Sequence, residues 1–117
     1  GGCTAVGPVP AADERYWGTW VSENPDTLGI TRVEIEPWAV RMWGACEPED
    51  CEWGETTYAI HEVELHVVWD HGYAIRVQVL AIQPGGSLRI ETTTYFTDGT
   101  GTRTDVDTLL RQIDVLL

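Results

Sequence analysis

Lysine is absent from this 117-residue chain: seven arginines are the only basic side chains, against nineteen acidic ones, for a formal net charge of -12. That balance argues against nucleic acid as a partner, because such binding rests on Lys and Arg neutralising phosphates. It argues equally against an anionic membrane surface. The missing Lys fits a GC-rich coding bias, with a saline habitat or a surface kept soluble by charge repulsion as the alternatives. No apolar run approaches the roughly 20 residues of a membrane helix, so no transmembrane segment is expected. Serine is reduced to Ser22 and Ser87, and neither sits in a nucleophile motif. The chain also lacks an initial Met. A start at Gly1 is what removal of a leader would leave, a tag remnant being the alternative.

What is present reads as one domain behind an arm. Residues 1–13 are rich in Gly, Pro and Ala, with Pro8 and Pro10 spaced as in an extended segment. Residues 14–117 form the domain, and a chain of this size buries roughly two-thirds of its unfolded surface on folding. Tyr16 to Glu23 reads as a first strand, with Asn24-Pro25-Asp26-Thr27 as its turn. From Ile30 to Glu36, Val33 and Ile35 alternate with Arg32, Glu34 and Glu36. Pro37-Trp38 turns the chain into a hairpin with arms Ala39 to Cys46 and Cys51 to Tyr58. Val63, Leu65, Val67 and Trp69 then alternate with Glu62, Glu64 and His66. After Asp70-His71-Gly72, Tyr73, Ile75, Val77 and Val79 form an apolar face, with Arg76 and Gln78 on the polar one. Beyond Gln83-Pro84-Gly85-Gly86, Leu88, Ile90 and Phe96 share a face, opposite Arg89, Glu91 and Tyr95. Asp98-Gly99-Thr100-Gly101 is a further hairpin loop.

Short strands at this spacing predict an all-β fold, an antiparallel up-and-down β-barrel of about eight strands with an extended N-terminal arm. The last stretch reads two ways. Leu109, Leu110, Ile113, Leu116 and Leu117 recur at helical spacing, and the same stretch also reads as a closing strand, favoured up to about Leu110. An apolar end at Leu116 and Leu117 wants a partner surface.

Gly18-Thr19-Trp20 resembles the Gly-x-Trp signature on the first strand of lipocalin-like barrels. That resemblance implies a Trp closing one barrel end against an Arg from a late strand, here Arg111 or Arg103. The chain is shorter than most lipocalins and nearer an avidin-sized barrel. Gly29-Ile30-Thr31-Arg32, the Trp43 to Gly54 segment and Phe96-Thr97-Asp98-Gly99-Thr100-Gly101 together resemble a group of small uncharacterised bacterial Trp-Gly-x-Cys/Cys-x-Trp-Gly β-barrel proteins. This second likeness spans most of residues 16 to 111 and implies a fold and no activity. Thr104-Asp105-Val106-Asp107 stands where the group would have a more aromatic final strand.

The chemistry-bearing residues are few. Cys46 and Cys51 flank Glu47-Pro48-Glu49-Asp50, and in a tight hairpin they face each other at disulfide distance. A disulfide is the preferred reading, ahead of free thiols and of metal ligation, since one Cys pair is half a zinc site. Cys3 is the odd cysteine. Its readings are an inter-subunit link, a bond to the hairpin pair or a lipid anchor, the last disfavoured by Gly1 and Gly2. His61, His66 and His71 are evenly spaced, yet residues five apart on a strand face opposite sides, so they read as polar or edge histidines. The carboxylates of Glu47, Glu49, Asp50, Asp98, Asp105 and Asp107 read as solvated turn and rim groups, with no acid/base pair ordered across a cleft. No calcium-loop spacing is present, and no cofactor or metal is expected.

Six Trp are the remaining signal. Trp20, Trp53 and Trp69 suit a barrel interior. Trp17, Trp38 and Trp43 fall on turns or outer faces, and Trp17, Trp38, Trp43 and Trp53 are candidates for a binding or interface role. The functional expectation is a non-enzymatic extracellular or cell-surface structural protein. It self-associates through its arm and apolar C-terminus, as a homo-oligomer or a head-to-tail filament. The alternative is a lipocalin-like binder of a small hydrophobic ligand or a sugar, and an enzyme ranks last.

Overall fold

The computed structural model describes residues 14–46 and 49–112. A short 3-10 turn, Glu14–Tyr16, leads into β1 (Gly18–Ser22), β2 (Ile30–Glu36), β3 (Ala39–Gly44) and β4 (Cys51–Thr56). β5 (Tyr58–His61), β6 (Glu64–Asp70), β7 (Ala74–Ile82), β8 (Leu88–Phe96) and β9 (Thr102–Arg111) follow. They form one antiparallel sheet in the order β4-β3-β2-β1-β9-β8-β7-β6-β5. Every neighbour is a sequence neighbour except β1 and β9, whose pairing of Trp20 with Arg111 and Ser22 with Leu109 curls the meander round on itself. The result is a nearly closed up-and-down barrel, the expected architecture. No described helix is long and apolar enough to cross a membrane.

Nine strands form where about eight are expected, because the second hairpin arm is two strands. At Thr57 the chain leaves one partner for another: Cys51–Thr56 pairs with β3, whereas Tyr58–His61 pairs with β6. The two free edges of the sheet therefore belong to consecutive strands, which form the seam of the barrel. Side chains bridge it. Tyr58 hydroxyl donates to the Glu36 carbonyl at 2.9 Å and accepts from the Trp38 N–H at 3.1 Å. At the other end of the seam, Trp53 of β4 meets Trp69 of β6 edge to face, with ring centres 5.8 Å apart.

Alternation builds the core. Val33 and Ile35, Val40 and Met42, Leu65, Val67 and Trp69, Leu80, Leu88 and Ile90, and Leu109 are all buried inside the barrel. Face choice fails on β7. There the inward set is Ala74, Arg76, Gln78 and Leu80, while Val77 is exposed on the outer surface, the reverse of the expected faces. The register explains this. Leu80 and Ala74 lie opposite Ile90 and Phe96 of β8, whose even-numbered positions all point inward, so Gln78 and Arg76 must follow.

One end is plugged. Trp20 is fully buried, and its indole N–H donates to the Tyr16 carbonyl at 2.9 Å. The Tyr16 hydroxyl donates to Val63 O at 2.6 Å and accepts from the Ile82 N–H at 3.3 Å. Burial raises the pKa of that phenol. The Arg111 guanidinium lies 4.2 Å from the centre of the Trp20 ring, a cation–π contact. It also donates to the carbonyls of Trp17 and Arg15 at 2.7 and 2.6 Å. Of the two arginines named as counterparts of Trp20, Arg111 takes the position and Arg103 lies at the opposite end, paired with Asp105. The first strand, Gly18–Ser22, is shorter than the expected Tyr16 to Glu23, because Tyr16 ends the 3-10 turn and Trp17 links it to β1. β9 runs as a strand to Arg111, so the helical reading fails over that span.

Candidate functional site

The other end opens into a cavity of about 520 Å³. Its wall is set by the inward face of β7. Gln78 is fully buried and matched on both sides of its amide: its oxygen accepts from the Trp69 indole N–H at 2.8 Å, and its nitrogen donates to Thr92 Oγ1 at 3.1 Å and faces the Met42 sulfur at 3.2 Å. A buried amide costs little when its donors and acceptors are paired. Two residues nearer the mouth on the same face comes Arg76. Its guanidinium lies 5.0 Å from the Trp53 ring centre and 5.5 Å from that of Tyr73, with Nη2 donating to the Tyr73 hydroxyl at 3.3 Å. Among the described residues it makes no ion pair.

His71 completes this side of the cavity. Its ring stands edge to face on Trp53 at 5.2 Å and near Trp69 at 6.0 Å. Its Nδ1 lies 2.5 Å from Arg76 Nη1. A guanidinium only donates, so Nδ1 is the acceptor and the proton of the neutral ring sits on Nε2. Among the described residues that buried Nε2 has no hydrogen-bond partner. Burial, reinforced by the Arg76 charge, lowers the pKa of His71, while Asp70 acts the other way.

The opposite wall comes from β9 and the chain entering β2. Asp107 is half-buried, and its carboxyl accepts from Thr27 Oγ1 at 3.5 Å and from the Ile30 backbone N–H. Burial raises its pKa above the ordinary carboxylate value, with Asp105 adding to the rise. Gly29 lets the chain pass this carboxyl, since a Cβ there would meet it. Gly44 has the same role against Trp53: a Cβ would stand 2.8 Å from the indole nitrogen. At the rim Cys46 and Cys51 form a disulfide with Cα atoms 5.4 Å apart, and Arg103 pairs with Asp105 at 2.8 Å.

Of the tryptophans singled out in the sequence, Trp53 lines this cavity, with Tyr73 and Phe96 as the other aromatic side chains beside His71. Trp17 is packed against the core at the plugged end. Trp43 lies on the outside of β3, between Arg32 and Arg41 at 5.6 and 5.3 Å. Arg41 in turn pairs with Glu52. Trp38 is 70% exposed in the β2–β3 turn, at a φ of +71° that is uncommon for a bulky residue. Cys3, Leu116 and Leu117, and with them the arm and apolar-tail expectations, lie outside the described residues.

The three histidines separate: the His61 and His66 rings lie 5.3 Å apart across the β5–β6 hairpin, while His71 is inside the mouth rather than at an edge. Among the described residues no group of three or more His, Cys, Asp or Glu is arranged to hold a metal ion. Sequence reasoning missed Arg76 and His71 as lining residues and Gln78 as an inward one behind them. For Arg76 and Gln78 the signal was phase: Ala74, Leu80 and Ile82 share their parity. Comparison with family models, with curated proteins and with solved structures finds no match to this chain.

Proposed function

We propose that this protein is a non-enzymatic binder of a small organic molecule, held in the open end of the barrel. The observation that carries this reading is the mouth cavity of about 520 Å³, with aromatic walls and a few convergent polar groups. That volume and lining fit the general character of small-ligand sites. The contrast with the plugged end supports it further: there the polar groups of Tyr16, Trp20 and Arg111 are taken up by the chain, whereas Arg76 at the mouth has no carboxylate partner among the described residues. Kinship with lipocalin-like barrels is part of the proposal, supported by Gly18-Thr19-Trp20 under Arg111. The Cys46–Cys51 disulfide supports an oxidising compartment, and with it an extracellular or cell-surface location.

The test is a titration of intrinsic Trp fluorescence with a panel of hydrophobic ligands and sugars. A saturable response that Trp53→Phe diminishes is the expected result, and no response at millimolar concentrations contradicts the reading.

Self-association is a second reading. It is favoured by the exposed Trp38 and by exposed Val68, Val77 and Val106 on the outer surface of the sheet. Sedimentation across a concentration series, with and without residues 1–13, separates the two. A mass that rises with concentration only in the intact chain supports assembly through the arm, and a constant monomer opposes it.

A further inference from the structure

Arg76 is placed differently from the other arginines that make polar contacts. Arg32, Arg41 and Arg89 each pair with a carboxylate on the outer sheet surface, and Arg103, at the rim of the mouth, pairs with Asp105. Arg111 is spent on two carbonyls and the Trp20 ring. Arg76 alone of these lines the barrel mouth without a carboxylate partner among the described residues, and there it meets a neutral imidazole, a phenol hydroxyl and the faces of Trp53 and Tyr73. A guanidinium held between rings is oriented but not neutralised. Its contact to His71 fixes the imidazole tautomer, with Nδ1 as the acceptor. A positive charge without a carboxylate partner among the described residues thus lines an aromatic-walled cavity.

Resting on the cavity reading above, we propose that the mouth recognises the carboxylate of a small aromatic acid, held by Arg76 with its ring against Trp53. A carboxylate is the acceptor that matches a guanidinium in both shape and charge. The aromatic walls, with Trp53 at one side and Phe96 at another, suit a planar body. The rest of the lining limits the charge to one. Asp105 is balanced by Arg103, but Asp107 and a net charge of -12 oppose a polyanion.

Calorimetric titration at pH 7 with 2-naphthylacetate and its neutral isostere 2-naphthylacetamide tests this. The acid is expected to bind at least about tenfold more tightly than the amide, the scale of a charge-assisted hydrogen bond over a neutral one. In Arg76→Gln the preference falls to less than about twofold while amide binding persists, which also reports an intact pocket; Arg76→Lys restores part of it. Equal affinity for acid and amide in the unmodified protein overturns the carboxylate proposal and leaves the cavity reading standing, as does a preference that survives in Arg76→Gln. Failure of both ligands to bind overturns the cavity reading itself and this proposal with it.

Discussion

The two ends of the barrel use similar residues for opposite purposes. Each has a Trp on the inside, an Arg against its ring and a further aromatic beside it. At the plugged end, Arg111 covers Trp20 and its N–H groups go to the carbonyls of Trp17 and Arg15, so charge and donors are absorbed by the chain. At the mouth, Arg76 lies by Trp53, but its partners are His71 and the Tyr73 hydroxyl. The lesson is one of saturation. A cation–π pair whose donors end on backbone carbonyls is a lock. The same pair beside a cavity, with no carboxylate partner among the described residues, leaves its charge unmatched.

Breaking the lock gives the largest expected effect. Trp20→Ala removes a fully buried indole and is expected to cost about 3–5 kcal/mol in chemical denaturation. Trp53→Ala at the mouth is expected to cost less than half as much. Equal losses erase the distinction between the ends. Next comes the rim disulfide. Replacing both Cys46 and Cys51 by Ser is expected to lower stability by about 2 kcal/mol, the chain-entropy value for so short a loop. Midpoints that coincide with those of the reduced unmodified protein check that the loss is the crosslink.

Gln78 marks the boundary between the two regimes. Gln78→Leu leaves the buried Trp69 N–H without its acceptor, at a cost of about 1–2 kcal/mol by thermal or urea unfolding. A neutral outcome means that water reaches Trp69, and that the mouth extends deeper than the saturated layer.

The smallest effect sharpens the comparison through pH. Burial holds the pKa of Asp107 above 3.8, so the folded protein keeps this proton more firmly than the unfolded chain. Stability from this group is therefore lost as pH rises from 3.8 through the folded value, and it stays lost above. Asp107→Asn removes the penalty while keeping an acceptor for the Ile30 N–H. The variant is expected to be more stable than the parent at pH 7, within about 0.5 kcal/mol, and the gap is expected to close by about pH 3. A gap of constant size at all pH values assigns the effect to something other than titration.

Much of the fold was legible because period-two alternation is a local signal. Val33 and Ile35, or Leu65, Val67 and Trp69, name their own inward face. The Gly18-x-Trp20 signature pointed to Arg111 or Arg103, and the short Cys46–Cys51 spacing pointed to a hairpin clip. Strand β7 resisted for a physical reason. Ile75, Val77 and Val79 are apolar and β-branched, so they look like a core face. Yet β8 pairs with β7 in a register that puts Ile90 beside Leu80, and the inward side of β7 carries Arg76 and Gln78 instead. The inward face of β7 turns polar toward the cavity where a core face is apolar, so alternation reads it inside out. The break at Thr57 was equally hidden, since Cys51 to His61 is extended throughout and only its choice of partner changes. His71 looked like a turn residue, and its role needs Arg76 and Trp53, neither of them its neighbour in sequence.

The central claim is that ligand enters at one end and leaves the other untouched. The indole N–H resonances of the tryptophans, assigned by single Trp→Phe substitutions, test it directly during titration with 2-naphthylacetate. Saturable shifts of Trp53 and Trp69, with Trp20 and Trp38 unmoved, are the predicted result. Shifts centred on Trp20 or Trp38 contradict the account, as does a spectrum in which no indole responds.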